Sequence, residues 1–476
     1  MNSASGQENY QLYKVFNDPI HGHIEMHPLL VKIIDTPQFQ RLRFIKQLGP
    51  CSFVYPGATH TRFEHSIGVS YLAGRLVEVL QERQSELKIT KKDKLCVQIA
   101  GLCHDLGHGP FSHMFDAKFL LRIGKSENEI RHEKTSVKMF EHMLNNNPDL
   151  KKAMEDYELD EQDHAFIKNQ IDHQSHYGEC GRTDKEFLYE IVANKRNGID
   201  VDKWDYLARD SYYLGMQNSF NHERLLKFVR VCEVEGGRQI CTRDKEIFNL
   251  YDMFNIRFSL HKRALQHRVV NIIVHMITEA FVKAAEHITV QSSNGLYNLS
   301  TAVDDMEAYT QLTDNVFHEI LNSTSEELKE AREILQRVMR RKLYKFVGET
   351  RSKPDAHKKQ YAFKGHDVHG LDLDHEKFIV LNTKMDYGMG DNNPIDQVHF
   401  YFKNNPTKGV KMDKNQVTNI LPINFSEQLV QVYYMGENED TKSIEKCFVR
   451  WCFQNELTKP KDADINCSDL KDKWRP

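Results

Sequence analysis

The stretch Ala100-Gly101-Leu102-Cys103-His104-Asp105-Leu106-Gly107-His108-Gly109-Pro110-Phe111-Ser112-His113 sets the hardest condition on how this chain folds. Leu95, Val97, Ile99 and Leu102 make an apolar, helix-like run, so His104 and Asp105 arrive together at the end of a buried helix. There an imidazole and a carboxylate can share one hard or borderline metal ion. His108 follows one turn later, and Gly107 and Gly109 break the helix behind it. The dipeptide by itself carries little weight, because His366-Asp367 repeats it in a polar stretch that reads as solvated loop. The first pair is judged by the partners the fold brings to it.

Two partners are candidates. His65 lies on a helical run over residues 62–80, with Arg62 three residues earlier on the same face, one suited to a metal and the other to an anion. Asp202 enters another helix, with Lys203 beside it and Tyr206 a turn later; alone it reads equally well as a helix cap.

The 476 residues are enough for one large core or two domains. Charged residues at 28% and hydrophobic ones at 40% suit a soluble globular chain. A net charge of -4 provides no bulk attraction to nucleic acid, so any anion site depends on local clustering. No apolar run approaches the ~20 residues of a membrane helix, and Met1-Asn2-Ser3-Ala4-Ser5-Gly6 does not read as a signal peptide. Nine cysteines without a Cys-x-x-Cys pair predict reduced thiols and a nuclear or cytoplasmic location.

Periodicity and turn residues predict a strand over residues 13–24 that turns at Asp18-Pro19 and His21-Gly22, then helices from Pro28 and from Pro37 to near Gly49. Further helices are predicted over 132–144, 187–192, 202–214, 244–287 and 303–339, with a β-hairpin formed by 229–234 and 238–241 around Gly236-Gly237. Strands are expected at 378–381 and 398–402, and helices at 425–434 and 443–453. A polar leader (1–13) thus precedes a mainly α core (14–348), a linker or flexible loop (349–370), a smaller C-terminal α+β lobe (371–458) and a tail (459–476).

His65, His104-Asp105 and Asp202 on separate helices, followed by Gly-His-Gly-Pro-Phe-Ser-His, resemble the signature of the HD-domain metallophosphohydrolases. The runs Val15 to Ile24, Leu95 to Phe115 and Asn194 to Tyr206 are similar to the vertebrate SAM- and HD-domain-containing deoxynucleoside triphosphate triphosphohydrolases, and similarity spans about residues 14–459. The leading residues are too few to supply that family's SAM domain. The fold expected is therefore mainly α, an HD-domain helical core with a small β-hairpin and a C-terminal α+β lobe for regulation and oligomerisation.

Two histidines and two carboxylates suit iron, manganese, zinc or magnesium, and ligand type does not choose among them. A metal held by His65, His104, Asp105 and Asp202 would lower the pKa of water from ~16 toward ~7, and His113 is the candidate proton donor to the leaving oxygen. The resemblance implies the reaction of a dNTP with water to give deoxynucleoside and triphosphate, control of dNTP pools and restriction of viral replication. It implies that His108, Asp116 and His132 line the α-phosphate, that Glu133 orients a histidine, and that Arg62, Lys203, Tyr206 and Arg257 contact phosphates. Asp210 joins the substrate residues, and Gln47, Leu48 and Gln266 match nucleoside contacts. Leu265 stands where the family has a tyrosine against the deoxyribose.

Asp35, Gln40 and Arg43 make a chemically sensible guanine reader, since a carboxylate accepts from guanine N1–H and N2–H while arginine donates to O6 or N7. They match the family's GTP/dGTP activator site, which Lys14, Arg341 and Lys345 complete from the phosphate side. A neighbouring dNTP activator site, with magnesium on the nucleotide phosphates, is matched by Val15, Asn17, His23, Val54, Tyr55, Arg224, Arg243, Lys245, Asn249, His267, Arg268 and Lys414. Asn221 replaces an aspartate there, and Arg268 a lysine. Nucleotide bound across these segments would hold together a homotetramer. Ser468 is followed by Asp469, so no proline-directed phosphosite is expected in the tail. Two other functions fit the residues: an HD phosphohydrolase acting on a different nucleotide or a phosphodiester, and a nucleotide-gated protein that binds single-stranded nucleic acid through its basic clusters.

Overall fold

The computed structural model describes residues 13–178, 180–352, 360–363, 375–417, 422–436 and 441–460. The apolar periodicity of residues 62–103 folds as two helices, Arg62–Arg83 and Lys91–Cys103, packed on one another, and Val201–Leu214 packs on the first. Each of the first two starts at a capping box. The Thr61 N–H donates to Glu64 Oε1 at 2.8 Å and the Thr90 N–H to Asp93 Oδ2 at 2.9 Å, satisfying donors that a helix start leaves free. The third is capped by Asp200, whose side chain accepts from the Lys203 N–H at 3.1 Å. Asp202 is therefore not the cap, and its carboxylate is available for other work.

Around this trio the fold is mainly α, with small sheets at the edges. His132–Asn146 runs close to its predicted span, while Pro148–Asp156 and Glu161–Ile171 are helices that the polar sequence did not signal. The continuous helix expected over 244–287 is interrupted. Ile247–Leu260 widens into a π-turn at His261–Leu265, breaks at Gln266 and His267, and restarts as Arg268–Ala284, because His267 Nδ1 accepts from the Val269 N–H and so caps a new helix. The helix expected from Pro37 is a single turn, Pro37–Gln40, followed by the 3-10 turn Arg41–Phe44, and residues 187–192 are likewise mostly a 3-10 turn, Glu186–Glu190. Residues 303–339 divide into Met306–Gln311, Asn315–Asn322 and Lys329–Met339.

The N-terminal segment forms the antiparallel hairpin β1 (Lys14–Asp18) and β2 (Gly22–Met26). Asp18 Oδ1 accepts from the Ile20 and His21 N–H groups at 2.9 Å, and Gly22 takes φ 74°, the left-handed value that a tight turn asks of glycine. The predicted central hairpin is β3 (Val229–Val234) and β4 (Gly237–Arg243); a second, unpredicted hairpin is β5 (Thr289–Ser292) and β6 (Gly295–Asn298). Further along lie β7 (Lys345–Arg351), β8 (Phe378–Asp386), β9 (Phe400–Phe402), β10 (Asn405–Val410) and β11 (Ser426–Tyr434). β10, β3, β4 and β9 close a four-stranded barrel, and β11 is the centre of a sheet ordered β7-β11-β8.

β11 corrects the helix expected at 425–434. Gln428 through Tyr434 are all buried, as a strand covered on both faces requires, and such a run has no period that separates it from a buried helix. The helix Thr441–Gln454 packs on β7, and Trp451 and Phe448 join Val430, Val432 and Tyr434 in a second, smaller core. The segment read as a linker is partly ordered. Its first residues end β7, and Tyr361 and Phe363 are buried in the smaller core, while 353–359 and 364–370 lie outside the described residues. The leader before Tyr13, the tail beyond residue 460 and His366-Asp367 also lie outside them. No helix among the described residues is long and apolar enough to cross a membrane.

Candidate active site

The trio of helices brings His65, His104, Asp105 and Asp202 together. His65 sits in the first turn of Arg62–Arg83, and its Nδ1–H donates to Asp205 Oδ2 at 2.7 Å. His104 follows the end of Lys91–Cys103, and its Nδ1–H donates to the Gly101 carbonyl at 2.8 Å. Both rings are thereby fixed with Nε2 toward the two carboxylates. His65 Nε2 is 3.4 Å from Asp105 Oδ2 and 3.2 Å from Asp202 Oδ1; His104 Nε2 is 3.4 Å from Asp105 Oδ1 and 3.5 Å from Asp202 Oδ1.

These separations suit a shared ion. Two ligand atoms each about 2.1 Å from one cation stand roughly 3.0–3.4 Å apart in octahedral or tetrahedral geometry. The Nε2 atoms of His65, His104 and His108 are buried without a hydrogen-bond partner, which is costly unless a cation or proton occupies the space they face. The charges agree. Burial disfavours the His65 imidazolium, yet the nearby Asp202 carboxylate and the hydrogen bond to Asp205 outweigh it and push its pKa up to about 10. Burial opposes the ionised Asp105 as well, but Arg62, His104 and His108 hold its carboxyl well below the usual range. Burial likewise opposes ionised Asp202, and the adjacent His104 and His65 rings prevail and hold its carboxyl below the usual range.

A second group of His108, His113, Asp116 and His132 adjoins the first, with ligand-type atoms within 4.8 Å of one another. His108 Nδ1–H donates to Asp116 Oδ2 at 2.5 Å, its Nε2 is 3.4 Å from Asp105 Oδ1, and its ring stacks on His132 with centroids 4.1 Å apart. His108 thus bridges the two groups. Burial, with help from His108, lowers His132 to about 4, and partial desolvation on the cleft wall together with His108, Arg62 and His132 holds the exposed His113 well below the usual histidine range. Glu133 is 3.7 Å from His132 Nδ1, beyond hydrogen-bond reach.

His113 also opens onto a cavity of about 660 Å³ that Gln47, Leu48, Leu265 and Gln266 line as well. Arg62 is buried against the metal side, donating to Asp105 Oδ2 at 2.7 Å and to Ser112 Oγ at 3.0 Å. Lys203 Nζ donates to Asp200 at 3.0 and 3.2 Å, and Arg257 Nη1 donates to the Asp386 carbonyl at 2.6 Å. Tyr206 lies on the Lys203 side of the same helix, where burial raises its hydroxyl to about 12. Asp210 is bonded to His60 Nε2 at 2.7 Å and does not line the cavity.

The residues matched to activator sites form local groups. Lys14 Nζ is 4.0 Å from Asp35, Gln40 Oε1 accepts from Arg43 Nε at 2.7 Å, and Arg341 donates to the Phe53 carbonyl at 2.9 Å; Lys345 begins β7. Val15, Asn17 and His23 share the β1–β2 hairpin, and Val54 precedes Tyr55, whose ring meets His267 edge-on at 6.0 Å. Arg268 lies over Phe346. Elsewhere Asn221 and Asn249 exchange hydrogen bonds at 3.0 Å, Arg224 and Lys245 lie over Phe228, and Arg243 donates to Asp244 at 2.7 Å. The Lys414 side chain lies outside the described residues.

The sequence reading missed the residues behind the site: Asp205, Arg209, His21 and Asp18, and Asp314. Asp314 accepts from the Phe111 N–H at 2.6 Å and the Lys46 N–H at 3.0 Å. The one sequence signal was Asp205, three residues after Asp202 and so on the same helix face.

Comparison with known proteins follows the same geometry. Residues 62–210 match the HD domain family, a span that contains all four candidate ligands. The chain is 53% identical over 493 residues to "Deoxynucleoside triphosphate triphosphohydrolase SAMHD1" of Gallus gallus, covering 98% of this chain and 80% of that protein. It is 54% identical over 480 residues to the Homo sapiens protein of the same name, covering 95% and 75% respectively. A Dictyostelium discoideum protein named as a SAMHD1 homolog is 37% identical over 441 residues, covering 91% of this chain and 78% of that protein.

Proposed function

Since this chain belongs to the SAMHD1 family of HD-domain proteins, we propose that it hydrolyses deoxynucleoside triphosphates to deoxynucleoside and inorganic triphosphate. The observation that supports this most is the set of partnerless Nε2 atoms on His65, His104 and His108 facing Asp105 and Asp202, beside a histidine that opens onto a nucleoside-sized cavity. His65, His104, Asp105 and Asp202 would hold the divalent ion, be it iron, manganese, zinc or magnesium. When bound, such an ion supplies Lewis acidity and makes water reactive near neutral pH.

The chain's own residues do the rest. Water adds to the α-phosphorus, the bond to the nucleoside 5′-oxygen breaks, His113 delivers a proton to that oxygen, and the water's oxygen stays on the triphosphate while the proton it sheds passes to that product or to solvent. In the free cleft His113 is neutral, so it acquires its proton only when the triphosphate's negative charge lies beside it. His108, Asp116 and His132 contact the α-phosphate, with Glu133 near His132. Lys203 and Arg257 bind the outer phosphates after exchanging Asp200 and Asp386 for the anion, and Tyr206 joins them. Gln47, Leu48 and Gln266 hold the nucleoside.

Leu265 favours a looser sugar preference. Its side chain has no hydroxyl to bond the sugar, and a wall that merely excludes bulk rejects an added hydroxyl by only ~100-fold. We further propose that GTP or dGTP at the Lys14, Asp35, Gln40 and Arg43 group, and a dNTP at the second group, assemble and activate a tetramer that controls dNTP pools and restricts viral replication. Sedimentation with and without GTP plus dNTP tests the assembly; an unchanged mass would exclude it.

Product analysis tests the reaction. Metal-loaded protein given dGTP should release deoxyguanosine and triphosphate in equal amounts. Release of pyrophosphate with a nucleoside monophosphate would place the cleaved bond elsewhere.

A further inference from the structure

We propose that Asp205 is a positioning residue for the metal centre, and that the turn of the β1–β2 hairpin holds it in place. The inference rests on the reading of His65 as a metal ligand. Asp205 accepts four hydrogen bonds. Oδ2 takes the His65 Nδ1–H at 2.7 Å and Arg209 Nε at 2.9 Å; Oδ1 takes His21 Nε2–H at 2.7 Å and Arg209 Nη2 at 2.9 Å. Two donors on each oxygen use the carboxylate's whole accepting capacity, so it has one orientation. A carboxylate only accepts, so His65 carries a proton on Nδ1, and Nε2 is the nitrogen left to face Asp105 and Asp202, free to ligate when an ion takes the place of its proton.

The support runs on to the hairpin. Arg209 Nη1 donates to Asp18 Oδ2 at 2.9 Å, and the other oxygen of Asp18 fixes the turn that carries His21. The side chains of His65, Asp205 and Arg209 have no exposed surface, and those of His21 and Asp18 have 1% and 5%. Water therefore cannot substitute for a missing partner. Gly68 makes room: a Cβ there would lie 1.9 Å from Asp205 Oδ1 and 2.6 Å from Arg209 Nη2. A glycine inside a helix loses more backbone freedom than alanine would, yet here, three residues after His65, only glycine lets the carboxylate reach the ring. A bonded route thus links the hairpin carrying Lys14, Val15 and Asn17 to a metal ligand across most of the first half of the chain.

The test uses the full chain and Co(II), whose visible absorption reports its ligands. Co(II) affinity, kcat and KM are measured for His21→Ala, His21→Gln, Asp205→Asn and His65→Ala. His21→Ala should weaken Co(II) binding about tenfold and lower kcat with KM unchanged, and Asp205→Asn should weaken binding by up to about 100-fold. His21→Gln keeps an N–H donor for Asp205 and should recover both quantities. Wild-type Co(II) affinity and spectrum in His21→Ala would overturn the proposal even if Asp205→Asn fails to fold. If His21→Ala itself fails to fold, wild-type affinity in Asp205→Asn would overturn it equally. His65→Ala separates the two levels: the parent's Co(II) affinity and spectrum retained there refute the metal-centre reading, whereas binding weakened and the spectrum altered there but both unchanged in His21→Ala refute the positioning role alone.

Discussion

His113 is the proposed proton donor, and its surroundings define when it can act. Partial desolvation on the cleft wall and the nearby His108, Arg62 and His132 hold its pKa well below the usual histidine range in the free cleft, although its ring is exposed there. A bound triphosphate reverses the local field. Because kcat/KM reports ionisations of the free enzyme and kcat those of the complex, the loss of kcat at high pH should lie at a higher pH than the loss of kcat/KM. His113→Ala should lower kcat by about 10²–10⁴-fold and abolish that separation; a variant that keeps both limbs would remove His113 from the reaction. His65, His104, Asp105 and Asp202 were legible because a short signature fixes them. The cluster of His21, Asp18, Asp205 and Arg209 was not: apart from the i,i+4 pair of Asp205 and Arg209, its links to His65, His21 and Asp18 join residues 140 to 191 positions apart, which no spacing encodes.

At the level of elements, the loop after His104-Asp105 needs an anchor. Phe111 and Ser112 both take left-handed backbone, φ 58° and 55°, which costs energy for side chains of their size. Asp314 offsets this by accepting from the Phe111 and Lys46 N–H groups, and Ser112 Oγ donates to the Lys46 carbonyl at 2.7 Å. Burial raises the Asp314 carboxyl to about 7, above its unfolded value of ~3.9. The folded state then binds the extra proton between those values. The contribution to stability is fully present below about pH 4 and lost as pH rises through 7. Asp314→Asn should flatten that decline in urea titrations at pH 5 and pH 8; an unaltered pH dependence would assign it to other groups.

The same scale shows where pattern reading failed. β11 is buried on both faces, with Gln428 and Gln431 among its apolar residues, and so carried no alternation, and the break at Gln266 and His267 depends on a π-turn inside a sequence that stays helical in character. Helices with a clear apolar stripe, such as His132–Asn146, were read to within a few residues.

Across the whole molecule, one large core carries the helices that place the four candidate ligands, and a smaller core forms around β11 and Trp451. The mainly α architecture was legible from long periodic segments. The small barrel of β10, β3, β4 and β9 was not, because two of its strands lie more than 150 residues from the other two and a short strand carries no record of a distant partner. We propose that the four-ligand site at the ends of these helices holds a metal ion against a triphosphate. Metal content and dGTP hydrolysis in the His104→Ala, Asp105→Ala double variant test it most directly. Loss of both bound metal and released triphosphate, with the helical circular dichroism of the parent chain, is the predicted result; metal or hydrolysis retained at the parent level would contradict it.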